Sequence, residues 1–370
     1  MIIECVKDKI KEAVILAEKA SGKNLSLPIL SSVLLQAKGK TLTIKATNLE
    51  IGLEIEIPAK IEEEGEIAVN AMVLSGFLTN LQKENKLKIE TKEGNIKIST
   101  DLTSTTIKSL PVEDFPIIPK VSKGDSFNLT SNNLINGLRS VVFASAISDI
   151  KPEIASVYIY KDDQGIVFVA TDSFRLAEKK IIIKDKIRDF SPIIIPFRNV
   201  AEIIRVFDRF DSNLEITSDG NQISFISDSI HLTSRIINGT YPDYRQIMPK
   251  SHKTEILITK DDLINNLKIA NIFSDKYSQV DFRVKAKENI LEVNALNQEV
   301  GENISQVITK IKGDDLITSF NVRYIIDCLS VINQKDLSLK FTDKDRPLLI
   351  QGIGDNSFSY IVMPIRSRGE

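Results

Sequence analysis

The sequence predicts an α+β protein assembled from three copies of one module, each with two helices packed on β-sheets. Three observations predict this fold: a strand-like segment recurs at a near-constant interval, an apolar helical face recurs with it, and short proline-containing segments separate the copies. The 370 residues also exceed the length at which a single hydrophobic core stops growing. The alternative is one large mixed sheet whose periodicity is coincidental.

The recurring strand alternates apolar and polar residues and then runs into a polar turn. It occurs three times, at residues 42–51, 166–175 and 291–300. Ala46, Ala170 and Ala295 occupy the same place in each copy, at intervals of 124 and 125 residues. Because such alternation is typical of a strand with one buried face, we expect the same strand-to-turn unit in each module.

Two sets of helices follow from apolar residues spaced i, i+3, i+4, i+7. One set precedes a short strand in each module, at residues 71–81, 198–210 and 322–332. The other set opens each module, at residues 5–20, from Ser131 and from Thr259. Thr259 with Asp262 at the third helical position resembles a capping box.

The module boundaries fall in two segments that each contain a Pro-Lys pair, residues 116–124 and 241–252. The predicted modules are residues 1–121, 126–246 and 253–370. Two helices cover only one face of a sheet, so a single module would leave strand edges open. A closed symmetric oligomer would remove those edges, although the periodicity does not fix the number of modules in it.

Composition limits the classes of function. The net charge of −2 argues against a protein that holds DNA tightly by bulk charge, but it allows a locally basic surface. Cys5 and Cys328 provide neither a disulfide framework nor a metal cluster. No apolar run reaches the length of a membrane span, and the amphipathic N-terminus lacks a signal-peptide core. We therefore expect a cytoplasmic protein without a membrane partner.

No catalytic motif is found in the sequence. The two histidines, His231 and His252, have no neighbouring motif, and both are expected at the surface or in loops. A phosphate-binding loop, a nucleophile elbow and a calcium loop are all missing from the sequence. We expect no cofactor, no metal and no catalytic residue.

Five motifs, in order along the whole chain, resemble those of the bacterial DNA polymerase III β subunit (sliding clamp) family. They are Leu-Pro-Ile-Leu at 27–30, Ala-Thr-Asp-Ser-Phe-Arg-Leu at 170–176, Gly-Thr-Tyr-Pro-Asp-Tyr at 239–244, Phe-Asn-Val-Arg-Tyr-Ile-Ile-Asp at 320–327 and Met-Pro-Ile-Arg at 363–366. The resemblance implies a non-catalytic DNA sliding clamp, a head-to-tail homodimer whose six modules form a ring with helices lining the hole. The implied partners are double-stranded DNA, bound without sequence preference, the DNA polymerase III catalytic subunit, the clamp loader and other clamp-motif proteins.

The resemblance also implies a peptide-binding cleft between the second and third modules. The matching positions are Ile154, Thr171, Ser173, Phe174, Arg175, Leu176, Pro242, Ile247, Ile361, Met363, Pro364, Ile365 and Arg366. Their mostly apolar character suits such a site. Three features depart from the family: Ser173-Phe174 replaces the usual Gly-His, Gln246 replaces a common basic residue, and a tail continues past Arg366.

Basic residues on the predicted helices are the candidates for facing DNA, because weak phosphate contacts let a tether slide. They are Lys7, Lys11, Lys83, Arg139, Arg198, Arg205, Lys268 and Arg323. The resemblance adds Lys23 or, alternatively, Asn24. It also implies a dimer interface of Ile272 and Phe273 against the partner's Thr105, Ile107 and Leu110.

Two other functions remain open at this point. One is an enzyme on the same scaffold, such as a nucleotide-handling hydrolase, which the missing catalytic motifs oppose. The other is a peptide-binding adaptor that never encircles DNA, which would need acidic helix faces.

Overall fold

The computed structural model describes residues 1–22, 27–81, 85–148, 150–183, 187–208 and 210–365. The chain forms two compact units. The first comprises Met1–Ile135, Ile187–Ser191 and Arg198–Asn238, and the second comprises Asn136–Lys186, Pro192–Phe197 and Gly239–Glu370, as far as these ranges are described.

Six α-helices occur in the described ranges. They are α1 (Lys7–Ala20), α2 (Ala71–Asn80), α3 (Ser131–Val141), α4 (Phe197–Phe207), α5 (Lys260–Ile272) and α6 (Val322–Leu329). All lie where the apolar spacing predicts helices, but the first starts at Lys7 because the preceding residues form a strand. The predicted cap of α5 is confirmed, since the Thr259 hydroxyl accepts a hydrogen bond from the Asp262 amide at 3.3 Å.

The strands are mostly short and are joined by tight turns. The first ten are β1 (Ile2–Val6), β2 (Ser32–Lys38), β3 (Thr41–Thr47), β4 (Ile51–Glu63), β5 (Gly65–Asn70), β6 (Lys86–Lys92), β7 (Asn95–Ser99), β8 (Ser104–Ile107), β9 (Ser109–Leu110) and β10 (Asp125–Thr130). The next seven are β11 (Ser156–Asp162), β12 (Gly165–Thr171), β13 (Arg175–Ile182), β14 (Ile193–Pro196), β15 (Asn213–Ser218), β16 (Gln222–Ile226) and β17 (Ile230–Arg235). The last nine are β18 (Thr254–Thr259), β19 (Gln279–Lys285), β20 (Ile290–Asn297), β21 (Gly301–Ile308), β22 (Lys310–Lys312), β23 (Leu316–Asn321), β24 (Asp336–Phe341), β25 (Leu348–Gly352) and β26 (Phe358–Val362).

Antiparallel pairing joins these strands into three sheets. The sheet of the first unit runs β10-β15-β16-β17-β4-β1-β6-β7-β8, with β2, β3, β5 and β9 attached off this path. The second unit has a sheet in the order β14-β11-β12-β13-β26-β25-β24-β18-β22 and a smaller sheet in the order β21-β20-β19-β23. The recurring strands of the sequence are β3, β12 and β20, so the predicted strand-to-turn repeat is confirmed.

Helices pack on these sheets through their predicted apolar faces. On α1, Ile10, Val14 and Ala17 are completely buried, and the helix lies over β3 and β4. Gly137 of α3 lies so close to the ring of Phe168 that a Cβ atom would approach it to 2.3 Å. The absence of a side chain at Gly137 therefore allows close packing of α3 on β12.

Two searches of the described ranges gave no candidates. None of the helices there combines the length and apolarity that a membrane crossing needs. Groups of three or more His, Cys, Asp or Glu side chains that could bind a metal are likewise not found in these ranges.

Candidate functional site

The predicted cleft is centred on the turn between β12 and β13. The Thr171 hydroxyl donates to the Arg175 carbonyl at 2.7 Å and accepts from the Ser173 amide at 3.1 Å. The Asp172 carboxylate accepts from the amides of Phe174 and Arg175, at 2.9 and 3.0 Å. Side chains thus satisfy the backbone groups that the turn removes from the sheet, which gives a short loop a fixed shape.

Ser173 has a left-handed backbone conformation, with φ of +77°. This conformation favours glycine, because a Cβ atom crowds the backbone there. The glycine that the resemblance leads us to expect here would suit this conformation, and in this chain a serine adopts it. The next side chain, Phe174, points outward and is 61% exposed.

Arg175 forms two ion pairs and contacts two aromatic rings at this site. Its guanidinium forms ion pairs with Asp327 at 2.6 Å and with Asp172 at 2.9 Å. It also lies over the rings of Tyr324 and Phe143, with centroid distances of 4.3 and 5.7 Å. Burial acts to lower the pKa of Arg175, but the hydrogen bond to Asp327 and the nearby acids outweigh it and raise that pKa.

The end of β26 lies beside this turn. The Met363 amide donates to the Phe174 carbonyl at 2.8 Å, and the Ile365 amide donates to the Ser319 carbonyl at 2.8 Å. Met363, Pro364 and Ile365 are half-buried, so part of each apolar surface remains accessible. The structure thus brings these predicted cleft residues next to Phe174 and Arg175.

Three predicted cleft residues do not present surface. Leu176 on β13 and Ile361 on β26 face each other across the sheet and are 0% and 1% exposed. Thr171 is 7% exposed, and its hydroxyl is used within the turn. We interpret these residues as the support beneath the cleft rather than as its contact surface.

The remaining predicted cleft residues lie on neighbouring loops of the second unit. Pro242 is exposed and Ile247 is 47% exposed, on the segment between β17 and β18. Ile154 is half-buried, and its carbonyl accepts from the Ala146 amide at 2.9 Å. Arg366 lies outside the described residues.

The sequence interpretation missed the aromatic and acidic partners of Arg175. Tyr324 and Asp327 lie on α6, about 150 residues further along the chain, and Phe143 follows α3. The motif at 320–327 was noticed, but spacing alone does not show that α6 meets the turn. The only indication in the sequence was the opposite charge of Arg175 and Asp327, the acid at the end of that motif.

The predicted DNA-facing residues differ in accessibility. Those exposed on helices are Arg139, Arg198, Arg205, Lys268 and Arg323. Arg205 pairs with Glu202 on the same helix. Lys11 is half-buried. Lys23, Asn24 and Lys83 lie outside the described residues.

The prediction for Lys7 needs correction. Its side chain is only 14% exposed, and its ammonium lies 3.2 Å from the Asp8 carboxylate. A largely covered and paired lysine is a poor phosphate ligand. The neighbouring Lys9, which was not predicted, is exposed on the same helix. Apolar periodicity identifies the buried face of a helix, but it does not show which of the flanking residues are the more exposed.

The predicted dimer residues lie near sheet edges. Ile272 is 66% exposed at the end of α5, and Phe273 beside it is half-buried. Thr105 and Leu110 are half-buried, close to β8, which ends the path of its sheet. Ile107 is 7% exposed and belongs to the core of its own unit, so it offers little surface to a partner.

His231 also departs from the sequence prediction. It lies within β17 and is half-buried, rather than at the surface or in a loop. It lines a cavity of about 450 Å³ together with Glu54 and Lys120. Burial lowers the pKa of His231, and the nearby Glu54 partly opposes that change. His252 is exposed, as expected.

Repeated α+β modules, an accessible apolar site beside a fixed turn and exposed arginines on helices define a binding protein of the clamp class. Three family models match the chain: the N-terminal, central and C-terminal domains of the DNA polymerase III beta subunit, at residues 1–119, 128–243 and 245–366. The chain belongs to the DNA polymerase III beta subunit family, which is a non-catalytic subunit of that polymerase.

Individual relatives agree along the whole length. The beta sliding clamp of Synechococcus elongatus is 25% identical, with 100% of both chains covered. That of Staphylococcus epidermidis is also 25% identical, with 94% of this chain and 95% of the relative covered. Among solved structures, the beta subunit of Thermotoga maritima has a TM-score of 0.93 at 24% identity, with 100% of both chains covered. A sliding clamp of Pseudomonas aeruginosa bound to griselimycin has a TM-score of 0.94 at 24% identity, with 99% of this chain and 100% of that chain covered. The predicted fold of three repeated domains is thereby confirmed.

Proposed function

We propose that two copies of this processivity clamp close head to tail around duplex DNA. The closed dimer tethers the polymerase III catalytic subunit, the clamp loader and other clamp-motif proteins through the cleft at Phe174 and Met363. The observation that carries the proposal is the arrangement at that cleft, where accessible apolar side chains surround a rigid turn. Family membership provides the context, and no catalytic step is required of the chain.

The cleft chemistry suits a short apolar peptide segment. Phe174, Met363 and Ile365 offer apolar surface, and the Arg175 guanidinium is held in place by two carboxylates. Ligand sites of this kind combine an apolar lining with few oriented polar groups. Phe174 is 61% exposed and lies beside the partly accessible Met363, and neighbouring exposed apolar side chains of this kind are typical of an interaction site.

Sequence-independent contact with DNA fits the helix surfaces. Arg198 and Arg205 stand seven residues apart on α4, about two helical turns, with Ala201 between them, and all three are exposed. Arginines spaced in this way can approach phosphates without reading base edges. The net charge of −2 keeps the overall attraction weak, so closure of the ring retains the DNA while the protein slides.

Dimerisation is supported by the edges of the sheets. In the described ranges, β8 and β21 each end a sheet path and leave one strand edge without a partner. Ile304 and Ile308 on β21 are 58% and 85% exposed. Such edges promote pairing with another chain, and a head-to-tail dimer would cover both of them. We also propose a cytoplasmic location, where the polymerase acts.

Retention on circular DNA tests the tether. The protein loaded onto a nicked circle by its clamp loader should remain bound during gel filtration, and it should dissociate once the circle is cut. Equal loss from circular and linear DNA would refute encirclement. Peptide binding without retention on the circle would instead support the adaptor.

A single substitution tests the cleft. Met363→Ala should weaken binding of the polymerase III catalytic subunit about tenfold or more, because a half-buried apolar contact is lost. Met72→Ala is the matched control, since Met72 is 68% exposed on α2. Leu176 is unsuitable for this test, because its complete burial means that alanine would disturb the core.

The dimer contact is tested by charge. Ile272→Asp should give monomers in analytical ultracentrifugation, because a carboxylate would be buried in the apolar interface. Ile353→Glu, at a half-exposed position of a turn in the same unit, should leave the dimer intact. An unchanged mass for Ile272→Asp would remove this surface from the interface.

A further inference from the structure

A hydrogen-bonded group of three side chains fastens the segment between β17 and β18 to the sheet of the second unit. The Tyr244 hydroxyl donates to the Glu178 carboxylate on β13 and lies 2.8 Å from the Tyr160 hydroxyl on β11. Tyr244 and Tyr160 are 5% and 8% exposed, so these bonds are shielded from water. We call Tyr160, Glu178 and Tyr244 the tyrosine network.

The protonation state of Tyr244 suits this role. Burial and the hydrogen bond to Glu178 raise the pKa of Tyr244 far above its ordinary value, so the hydroxyl keeps its proton and can donate. Arg245 covers the outer side of the network, with its guanidinium 5.0 Å from the centroid of the Tyr160 ring.

An aromatic stack adds a second attachment. The rings of Tyr241 and Tyr158 lie 4.6 Å apart and are nearly parallel, at 5°. Pro242 directly follows Tyr241, and Ile247 follows Tyr244 by three residues. Both proposed cleft residues therefore lie on a segment that tyrosines attach to the sheet. Within this segment, Tyr244–Ile247 form a short 3₁₀ turn.

The corresponding place in the first unit lacks this arrangement. Glu54 and Lys120 stand 124 residues before Glu178 and Tyr244. There the carboxylate of Glu54 lies 3.6 Å from the ammonium of Lys120, whose side chain is 69% exposed. The fold of the repeat therefore does not require a buried tyrosine at this place. The tyrosine network occurs in the unit that carries the proposed cleft.

We propose that the tyrosine network positions Pro242 and Ile247 as a wall of the cleft and thereby sets its affinity for the partner's peptide segment. This inference rests on the proposed function of the cleft. Tyr244 and Glu178 are positioning residues, because they act through the segment that they hold and not by contact with the peptide. A buried hydroxyl that loses its acceptor, or an acceptor that loses its donor, leaves the group unsatisfied, and the segment can relax away from the sheet.

The test uses the full-length protein and the purified polymerase III catalytic subunit, with binding followed by biolayer interferometry. Tyr244→Phe keeps the ring and removes the hydroxyl, and it should weaken binding about threefold to thirtyfold. Glu178→Gln should have a similar effect. Tyr277→Phe is the matched control, since Tyr277 is 53% exposed and lies outside the tyrosine network and the cleft, and it should leave the affinity unchanged.

A double-mutant cycle separates positioning from general destabilisation. In an Ile247→Ala background the Ile247 side chain no longer contacts the peptide, so Tyr244→Phe should lower the affinity little further. Loss of affinity by the same factor in both backgrounds would overturn the inference, as would an affinity of Tyr244→Phe within twofold of wild type. If the wild-type protein fails to bind the subunit at all, the proposed function falls and this inference falls with it.

Discussion

The turn at residues 47–51 of the first unit and the turn at 171–175 of the second have the same backbone. In each, a threonine hydroxyl donates to the carbonyl four residues on, at 2.8 and 2.7 Å. In each, the next side chain accepts from two amides, through Asn48 in one and Asp172 in the other. Leu49 and Ser173 share a left-handed conformation, with φ of +76° and +77°. The repeat therefore reproduces the turn to the level of single hydrogen bonds.

The side chains around the two turns differ completely. The Glu50 carbonyl accepts from the Arg235 amide at 2.9 Å, as Phe174 does from Met363 at 2.8 Å. However, Glu50 and Arg235 also form an ion pair at 3.6 Å, whereas Phe174 and Met363 are apolar and accessible.

A third position completes the contrast. Asn199 of α4 donates to the Glu50 carbonyl and to the Ser234 hydroxyl, at 3.4 and 3.0 Å. Asn199 is the third residue of α4, and the third residue of α6 is Tyr324, whose ring lies under the Arg175 guanidinium. The same backbone thus carries Glu50, Arg235 and Asn199 in the first unit, which we call the polar seal, and accessible apolar side chains in the second.

Removing the central side chain of the second turn should have the largest effect. Arg175→Ala leaves Asp172 without its main partner, and Asp172 is only 14% exposed. Breaking a shielded ion pair costs several kcal/mol, but Asp327 is 46% exposed, so water can partly replace its partner. We therefore expect the free energy of unfolding to fall by about 2–4 kcal/mol. Hydrogen exchange should show reduced protection of β12, β13 and β26, with β3 and β4 unchanged.

Arg205→Ala provides the control for that experiment. Arg205 is 45% exposed in its pair with Glu202, and exposed pairs contribute less than about 1 kcal/mol. If Arg175→Ala were no more costly than Arg205→Ala, the ion pairs of Arg175 would not hold the turn.

Transferring the polar seal into the second unit should have the next largest effect. The double variant Phe174→Glu with Met363→Arg places an acid and a base where the first unit has Glu50 and Arg235. Since the backbones match, the chain should fold normally. Affinity for the polymerase III catalytic subunit should fall about 100-fold, the loss typical of two central interface residues.

The reverse exchange is the control. Glu50→Phe with Arg235→Met alters the first unit by the same side chains and should leave the affinity for the catalytic subunit within twofold of wild type. Equal losses in both double variants would mean that the two turns do not differ in function.

The repeat in the sequence was sufficient to predict the three strand-to-turn units and the six helices, because apolar periodicity reports directly on burial. It was not sufficient for the cleft. Arg175, Tyr324 and Phe143 come together from three distant segments, and nothing in their spacing along the chain reveals the contact. The burial of Leu176 and Ile107 likewise depends on which neighbour covers each strand, which local sequence does not specify.

Relieving the strained backbone should give a smaller gain. Ser173→Gly should stabilise the protein by about 0.5–1 kcal/mol, seen as a higher urea midpoint, because glycine adopts positive φ without steric cost. Leu49→Gly should gain less stability, since Leu49 is 49% exposed and the buried half of its side chain would lose apolar contact. Ser122→Gly, at an exposed residue without positive φ, should gain nothing. A destabilised Ser173→Gly variant would contradict the strain.

The smallest expected effect is a difference between the two units in how stability depends on pH. His231 stands opposite Glu54 across β17 and β4, and the matching pair in the second unit is Ser359 opposite Glu178. Because burial lowers the pKa of His231, the unfolded chain binds a proton there more readily than the folded chain does. Stability of the first unit should therefore fall as pH decreases below about 6.5, the ordinary pKa of histidine, and the second unit has no counterpart at Ser359.

Thermal unfolding at pH 7.5 and 5.5 measures this difference, and the His231 contribution should lower the melting temperature by about 1–3 °C at the lower pH. His231→Gln should remove that contribution, and His252→Gln, at an exposed loop position, should retain it. Carboxylates such as Glu292, whose pKa is lowered to about 2 by hydrogen bonds from Lys285 and Gln306, lose their stabilising effect only below about pH 4.5 and stay outside this window. A pH response that is the same in wild type and His231→Gln would mean that the half-buried histidine is solvated well enough to take up its proton in the folded state.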